Sequence, residues 1–163
     1  SLKRTTEVVT TGEGERASVD HETDEFGYMV RDSKQANGPR YEFVNISPSG
    51  ELVVLGDNNS AGPFPIDFDF DFYGTSQREF YLNSDGFISF GGGFSAPSNQ
   101  CPLPKARTPN HLIALMWDDF QPNDVRAQVY YQNFSACPYG GGACLIVQYD
   151  KYHHPKSHYF LAL

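Results

Sequence analysis

The stretch Ile66-Asp67-Phe68-Asp69-Phe70-Asp71-Phe72 decides the fold class of this chain. Its apolar and acidic residues alternate strictly, and successive side chains of a β-strand point to opposite faces of a sheet. Four apolar side chains therefore share one face of the segment and three carboxylates share the other. The alternation predicts a strand with one buried face, as is typical of antiparallel sheets.

Further short apolar runs alternate with turn-forming residues along the chain, at a spacing of about 8–12 residues. The candidate strands are 26–30, 41–46, 51–55, 66–72, 79–83, 87–90, 111–117, 127–132, 143–149 and 157–163. Asp85-Gly86 between two of these runs predicts a hairpin turn. No window of a dozen residues shows helical spacing of apolar residues without Gly or Pro. We predict an all-β fold, a mainly antiparallel two-sheet β-sandwich, jelly-roll-like or related, with little helix.

The N-terminal residues differ in composition from the rest of the chain. Residues 1–25 are polar and nearly devoid of aromatic residues, which predicts a flexible arm or linker. Residues 26–163 are predicted to form a single β-sandwich domain, in which the apolar run 111–117 is a central strand covered on both faces. Because no signal peptide precedes Ser1 and the end of the chain lies within an apolar run, we expect a piece of a longer polypeptide.

Charge and composition exclude two classes of partner. The 163 residues include 12 Lys and Arg against 20 Asp and Glu, for a formal charge of −8. Such a chain repels a phosphate backbone, so nucleic acid is not expected as a partner. No apolar run approaches the roughly 20 residues of a membrane-spanning helix, so no membrane span is expected.

The cysteines and glycosylation motifs predict an exported protein. Cys137 and Cys144 flank a Gly-rich stretch, and facing positions of a hairpin can meet the disulfide requirement of about 4.4–6.8 Å between Cα atoms. The alternative is two reduced thiols near a loop. Cys101 is then free, or pairs with a residue outside this chain or in a partner. Three Asn-x-Ser motifs offer glycan acceptors in a eukaryotic secretory pathway, at Asn45, Asn58 and Asn133.

An acidic turn is the candidate cation site. Asp118 and Asp119 leave an apolar strand and enter a turn that also holds Asn123 and Asp124. Loop oxygens can converge on a calcium ion, so these four residues are the candidate ligands and calcium the candidate cofactor. Asp and Asn are also ordinary turn formers, which is the alternative.

Exposed aromatic rings are candidates for stacking on sugars, namely Tyr130, Tyr131 and Tyr139. The alternative for the adjacent pair is that one ring faces the core. The chain has no Gly-x-Ser-x-Gly motif and no phosphate-binding loop. We therefore predict no catalytic residues and no enzyme activity.

Several motifs together resemble a known extracellular domain. They are Gly62-Pro63-Phe64-Pro65, Phe70-Asp71-Phe72-Tyr73-Gly74, the run from Tyr81 to Gly91 (YLNSDGFISFG), and Leu112-Ile113-Ala114-Leu115-Met116-Trp117-Asp118-Asp119. Their order over residues 62–119 resembles the nidogen-type extracellular domain and related β-sandwich modules of bacterial secreted or surface proteins.

The resemblance implies a non-catalytic extracellular or cell-surface module for adhesion or for matrix or surface assembly. Its partner would be a protein or a glycan at the cell surface or in the matrix. Self-association through strand exchange is a variant, because an open strand edge templates pairing. The alternative is an accessory or carbohydrate-binding domain attached to a secreted hydrolase or peptidase.

Overall fold

The computed structural model describes residues 3–10, 16–35, 38–107, 109–122, 127–153 and 160–161, with only the backbone for 3–10, 16–22, 153 and 160–161. These residues form strands and loops and no helix. The described part accordingly offers no helix that could span a membrane. The chain divides into two compact units, Ser1–Glu42 and Phe43–Leu163.

The first unit is built on a two-stranded antiparallel ribbon. Strand β1 (Lys3–Thr10) pairs with β2 (Arg16–Thr23). A turn follows in which the carboxylate of Asp24 accepts the backbone N–H groups of Phe26 and Tyr28, each at 2.9 Å. Residues 1–25, expected to be a flexible arm or linker, thus contain two paired strands, and the unit boundary falls after residue 42.

The second unit contains the remaining strands. They are β3 (Glu51–Val53), β4 (Ser60–Phe72), β5 (Thr75–Asn83), β6 (Phe87–Ser89), β7 (Leu112–Ala114), β8 (Gln128–Phe134), β9 (Cys144–Asp150), β10 (Tyr152–His153) and β11 (Phe160–Leu161). One sheet has the order β3-β8-β9 and the other the order β4-β5-β6-β7. All pairings are antiparallel, and β10 pairs separately with β11. The predicted all-β fold with two antiparallel sheets is confirmed.

Strand β4 follows the alternation of its sequence. Ile66 is buried and the three phenylalanines after it are half-buried, whereas the carboxylates of Asp67, Asp69 and Asp71 are exposed. The strand is bulged twice in its pairing with β5, between Ala61 and Phe64 and again between Pro65 and Phe70. Bulges bend a strand, so β4 curves along the edge of its sheet.

The core of this unit lies between the two sheets. Phe80 of β5 and Tyr131 of β8 meet edge to face with ring centroids 5.4 Å apart, and Phe64 of β4 lies 4.9 Å from Tyr131. Aromatic pairs in this arrangement add attraction to the area that they bury. Residues from both sheets, from the loops beside them and from β10 make up the buried cluster: Val53, Leu55, Ile66, Phe80, Leu82, Ile88, Phe90, Phe120, Val129, Tyr131, Tyr149 and Tyr152.

The apolar run 111–117 is not the central strand that its composition predicts. Only Leu112–Ala114 form a strand, β7, which is the last strand in the order of its sheet among the described residues. Leu115 and Met116 are each 47% exposed. The strand stops because the N–H groups of Leu115 and Met116 both donate to the carbonyl of Gly86, at 3.2 Å, and turn the chain inward. An apolar run alone does not tell an edge strand from a central one.

Two further predicted strands are also wrong. Residues 41–46 have no strand, and in 26–30 only Met29 makes an isolated bridge, to Thr23. Tyr41 and Val30 are 86% and 89% exposed. Their side chains bury too little surface to hold a sheet face.

Candidate functional site

The turn between β5 and β6, residues 83–86, is buried and is called the buried turn below. Asn83 is 1% exposed, while Ser84 and Asp85 have no exposed surface. Most tight turns lie at the surface, where water satisfies their polar groups. Here the protein must supply the partners, and four other segments bond to this turn.

Two loops bind the backbone of the buried turn. The N–H of Ser84 donates to the carbonyl of Asn59 at 2.9 Å, and the N–H of Asn59 donates to Ser84 Oγ at 3.0 Å. On the other side, the N–H of Asp118 donates to the carbonyl of Asp85 at 3.2 Å. The acidic segments 57–59 and 118–119 are therefore both held beside Asp85.

Gly86 is required where the turn meets the end of β7. Its φ is +80°, and a Cβ at this position would clash with the carbonyl oxygen of Met116. Only glycine allows both this conformation and this close approach.

A tyrosine from the other sheet bonds the backbone of the buried turn. The hydroxyl of Tyr149 on β9 lies 2.8 Å from the carbonyl of Asn83 and 3.1 Å from that of Phe87, and donates to them. Burial raises the pKa of Tyr149 well above its usual range, so the hydroxyl keeps its proton as a donor. The side-chain Nδ2 of Asn83 donates to the carbonyl of Phe94. This bond holds the loop after β6 against the buried turn.

The carboxylate of Asp85 is only partly satisfied by its neighbours. Its carboxylate receives the backbone N–H of Ala96, yet Oδ2 is buried without a hydrogen-bond partner. The pKa of Asp85 is raised to about 6. Desolvation is the main cause, the nearby charges of Asp119 and Asp57 add to it, and the hydrogen bond from the N–H of Ala96 opposes it. A proton or a cation would satisfy this oxygen.

The structure describes two of the four predicted calcium ligands. Asp118 is exposed, and its Oδ1 accepts the N–H of Asp119 at 2.9 Å, which is a turn-forming contact. Asn123 and Asp124 lie outside the described residues. Within the described ranges, no group of three or more acidic, histidine or cysteine side chains is arranged to hold a metal ion. Calcium binding here stays a prediction.

The disulfide is present at the tip of the β8–β9 hairpin. Cys137 and Cys144 are bonded with their Cα atoms 5.3 Å apart, as predicted. Within the closed loop, the N–H of Cys137 donates to the carbonyl of Gly142, and the N–H of Gly140 donates to that of Cys137, each at 2.9 Å. The tip, residues 137–144, is thus braced by one covalent bond and two hydrogen bonds. Cys101 is an exposed free thiol.

The three tyrosines proposed for sugar stacking lie in different surroundings. Tyr131 is buried, its ring contacts Phe64 and Phe80, and its hydroxyl donates to Glu51 Oε2 at 2.6 Å. Tyr130 is 9% exposed. Neither ring presents a face to a sugar. Tyr139, on the tip, is 49% exposed, and sugar stacking stays a prediction for this residue.

The predicted glycan acceptors differ in how their side chains are used. Asn133 donates through Nδ2 to the carbonyl of Pro65 at 3.0 Å, and Asn58 is half-buried. Asn45 is exposed and uses its Oδ1 to accept from Ser47 and Gln148. A glycan on Nδ2 is therefore most compatible with Asn45.

Sequence reasoning identified the buried turn only as a hairpin and missed its burial. The available signal was the polar run Asn83-Ser84-Asp85 between two apolar strands, which in a surface turn would be unremarkable. Trp117 offers a second signal, because its ring packs on Phe87 and its Nε1 donates to the carbonyl of Ala96 at 2.7 Å. That contact holds the Ala96 loop against Asp85.

A comparison with family models finds one match over the sandwich. The family described as NIDO related matches residues 34–155. The chain matches no curated protein and no solved structure significantly. The matched range covers most of the chain and includes both sheets and the disulfide-bonded tip. The chain therefore belongs to the NIDO-related family, and its described sandwich is a nidogen-related domain.

Proposed function

We propose that this domain is a non-catalytic binding module that serves adhesion, or matrix or surface assembly, through its braced tip. The family membership supports an extracellular setting, and binding residues are commonly carried on loops held by a rigid scaffold. The partner is a protein or a glycan at the cell surface or in the matrix.

The observation that carries the proposal is the exposed ring of Tyr139 on a loop closed by a disulfide. Residues 135–143 join two seven-residue strands, and the Cys137–Cys144 disulfide ties this loop to the start of β9. A pre-ordered loop loses little conformational entropy when it binds. A tyrosine contributes a large contact area at the cost of few rotatable bonds, so it is a suitable anchor.

A binding assay with two tyrosine variants tests the proposal. The full chain is added to extracellular matrix deposited by cultured cells, and bound protein is measured against concentration. We expect Tyr139→Ala to weaken binding at least about tenfold, as for a residue at the centre of an interface. The matched control is Tyr41→Ala, because Tyr41 is 86% exposed and lies in the first unit. Equal effects of the two variants would contradict a role for the tip.

A glycan array separates the two kinds of partner. The alternative function, an accessory or carbohydrate-binding domain of a secreted hydrolase or peptidase, predicts binding to a defined glycan that Tyr139→Ala abolishes. A half-exposed tyrosine ring supports this alternative, because sugars stack on such faces. Binding to matrix without binding to any glycan would assign the tip to a protein partner.

A further inference from the structure

Two side-chain oxygens in the described part of the chain are buried without a hydrogen-bond partner. They are Oδ2 of Asp85, in the buried turn, and Oδ1 of Asn58, in the loop before β4. Asp85 as a whole has no exposed surface. Both atoms are acceptors, so neither satisfies the other. A buried oxygen without a partner costs free energy, which a hydrogen-bond donor or a positive ion beside it removes.

The loop and the turn that carry these two oxygens lie side by side. The first residue of β4 is paired with the last residue of β5. Just beyond this pair, the N–H of Ser84 donates to the carbonyl of Asn59, and the N–H of Asn59 donates to Ser84 Oγ. Because the two segments run antiparallel, the next residues along them are Asn58 on one and Asp85 on the other. The two unpaired oxygens therefore belong to neighbouring residues of adjacent segments.

The charges that act on the buried carboxylate are negative. Asp119 and Asp57 both raise the pKa of Asp85. Among the described residues, none of these three carboxylates forms an ion pair with a basic side chain. A water molecule would satisfy the unpaired oxygens, as would an Asn58 amide turned over so that its nitrogen donates. Neither carries the charge that would offset the repulsion between the carboxylates, so the electrostatics favour a cation.

We propose that a calcium ion binds to Oδ2 of Asp85 and Oδ1 of Asn58, with the carboxylates of Asp57 and Asp119 beside it. Calcium accepts carboxylate, amide and backbone carbonyl oxygens together with waters, in flexible geometries. Such a mixed set is required here, because the described residues hold no group of three acidic, histidine or cysteine side chains placed as ligands. Asp57 is exposed and Asp119 is half-buried, so the ion has a short path from solvent.

This site differs from the acidic turn at residues 118–124 that the sequence predicts, because its central ligand is the buried carboxylate of Asp85. An ion there would link the loop at 57–59, the buried turn and the segment at 118–119, which the backbone bonds already hold together. The inference goes beyond the proposed binding function and does not involve the tip.

Terbium luminescence tests the proposal directly, because terbium occupies calcium sites and is excited through a nearby tryptophan. The only tryptophan of the chain is Trp117, whose indole donates to the carbonyl of Ala96, and the N–H of Ala96 binds Asp85. We expect tryptophan-sensitised emission that calcium chloride displaces with a dissociation constant of about 0.1–1 mM, as for extracellular modules.

Asp85→Asn is expected to raise this dissociation constant at least about tenfold, because it removes the buried charge but keeps the shape of the side chain. The matched control is Asp67→Asn, on the exposed face of β4, which should bind like the wild type. Melting curves in chelator verify that both variants fold. Equal affinities of Asp85→Asn and the wild type overturn the proposal. Loss of binding in Asp118→Ala but not in Asp85→Asn also overturns it, since the ion then belongs to the exposed turn.

Asn58→Asp separates a bound ion from a water or a turned amide. The added carboxylate increases the repulsion around Asp85 and offers a stronger ligand to a cation. In chelator the melting temperature should therefore be lower than that of the wild type, and its rise on addition of calcium should be larger. Equal destabilisation in calcium and in chelator overturns the proposal. A wild-type chain that neither binds terbium nor gains stability in calcium overturns it as well.

Discussion

Asp85 is a carboxylic acid enclosed in the protein interior, and its protonation is linked to folding. Burial raises the pKa of Asp85 in the folded protein to about 6, against the usual value of 3.8 for an aspartic acid. The folded protein thus binds this proton more tightly than the unfolded chain does. The resulting stabilisation is fully present below pH 3.8 and is lost as the pH rises through about 6.

Substitution Asp85→Asn is expected to remove this pH dependence. Asn keeps the shape of the side chain and an oxygen for the N–H of Ala96, but it carries no charge at any pH. The difference in melting temperature, variant minus wild type, should therefore increase as the pH rises from about 4 to about 7. Thermal unfolding over this range measures it, with Asp67→Asn on the exposed face of β4 as the control. A constant difference between Asp85→Asn and wild type would contradict the linkage.

Substitution Gly86→Ala is expected to destabilise the domain by more than about 2 kcal/mol, because it combines strain at positive φ with a clash. The added Cβ would overlap the carbonyl oxygen of Met116. Gly140→Ala is the matched control, since Gly140 has a φ of +88° and a Cβ added to it would meet open space. Urea unfolding of both variants separates the clash from the strain. Equal losses would show that the contact with Met116 relaxes freely.

The calcium hypothesis makes a thermal prediction. If Asp118 and Asp119 bind calcium in the native state, a hundredfold excess over Kd stabilises the protein by about 2.7 kcal/mol. For a domain of this length the midpoint would rise by several degrees. Melting curves in millimolar calcium and in excess chelator measure the shift, and Asp118→Ala should abolish it while Asp67→Ala does not. Identical midpoints would assign these carboxylates to turn formation.

Among the elements, β4 and β8 belong to different sheets and are joined by the side chain of Asn133. Its Oδ1 accepts the N–H of Asp67 at 3.3 Å, and its Nδ2 donates to the carbonyl of Pro65 at 3.0 Å. We expect Asn133→Ala to lower the free energy of unfolding by about 1–3 kcal/mol, because two backbone groups lose their partner. Ser135→Ala, which removes the same glycosylation motif without touching these bonds, is the control. Similar unfolding curves for the two variants would contradict the joining role.

Some strands could be predicted from the sequence and others could not. Strand β4 and the β5–β6 hairpin were predictable because alternation and Asp85-Gly86 act within a few residues. The early end of β7 was not, because it depends on the carbonyl of Gly86, about 29 residues earlier in the chain, which accepts the N–H groups of Leu115 and Met116. Local patterns indicate that a strand forms, whereas its neighbours are decided by distant contacts.

At the scale of the whole molecule, the two-sheet architecture and the Cys137–Cys144 bond were predictable from composition, turn spacing and cysteine positions. The candidate site was only partly so. Asp118 was identified as an acidic turn residue, but the burial of Asp85 arises only once loops 57–59 and 115–118 close over it. Likewise, the boundary between the two compact units, after residue 42, depends on which strands pair with one another. Burial of a polar residue is a property of the assembled fold.

The enclosure of the turn at residues 83–86 also has a kinetic consequence. In most hairpins the turn amides exchange their hydrogens with solvent quickly, because a small local fluctuation exposes them. Here the amide of Ser84 is bonded to Asn59 and that of Asp85 to the side chain of Asn83, both inside the protein. Water reaches them only when the surrounding loops detach together. Deuterium uptake at the amides of Ser84 and Asp85 should therefore occur only on global unfolding. The exchange rates of these two amides then measure the free energy of unfolding of the whole sandwich.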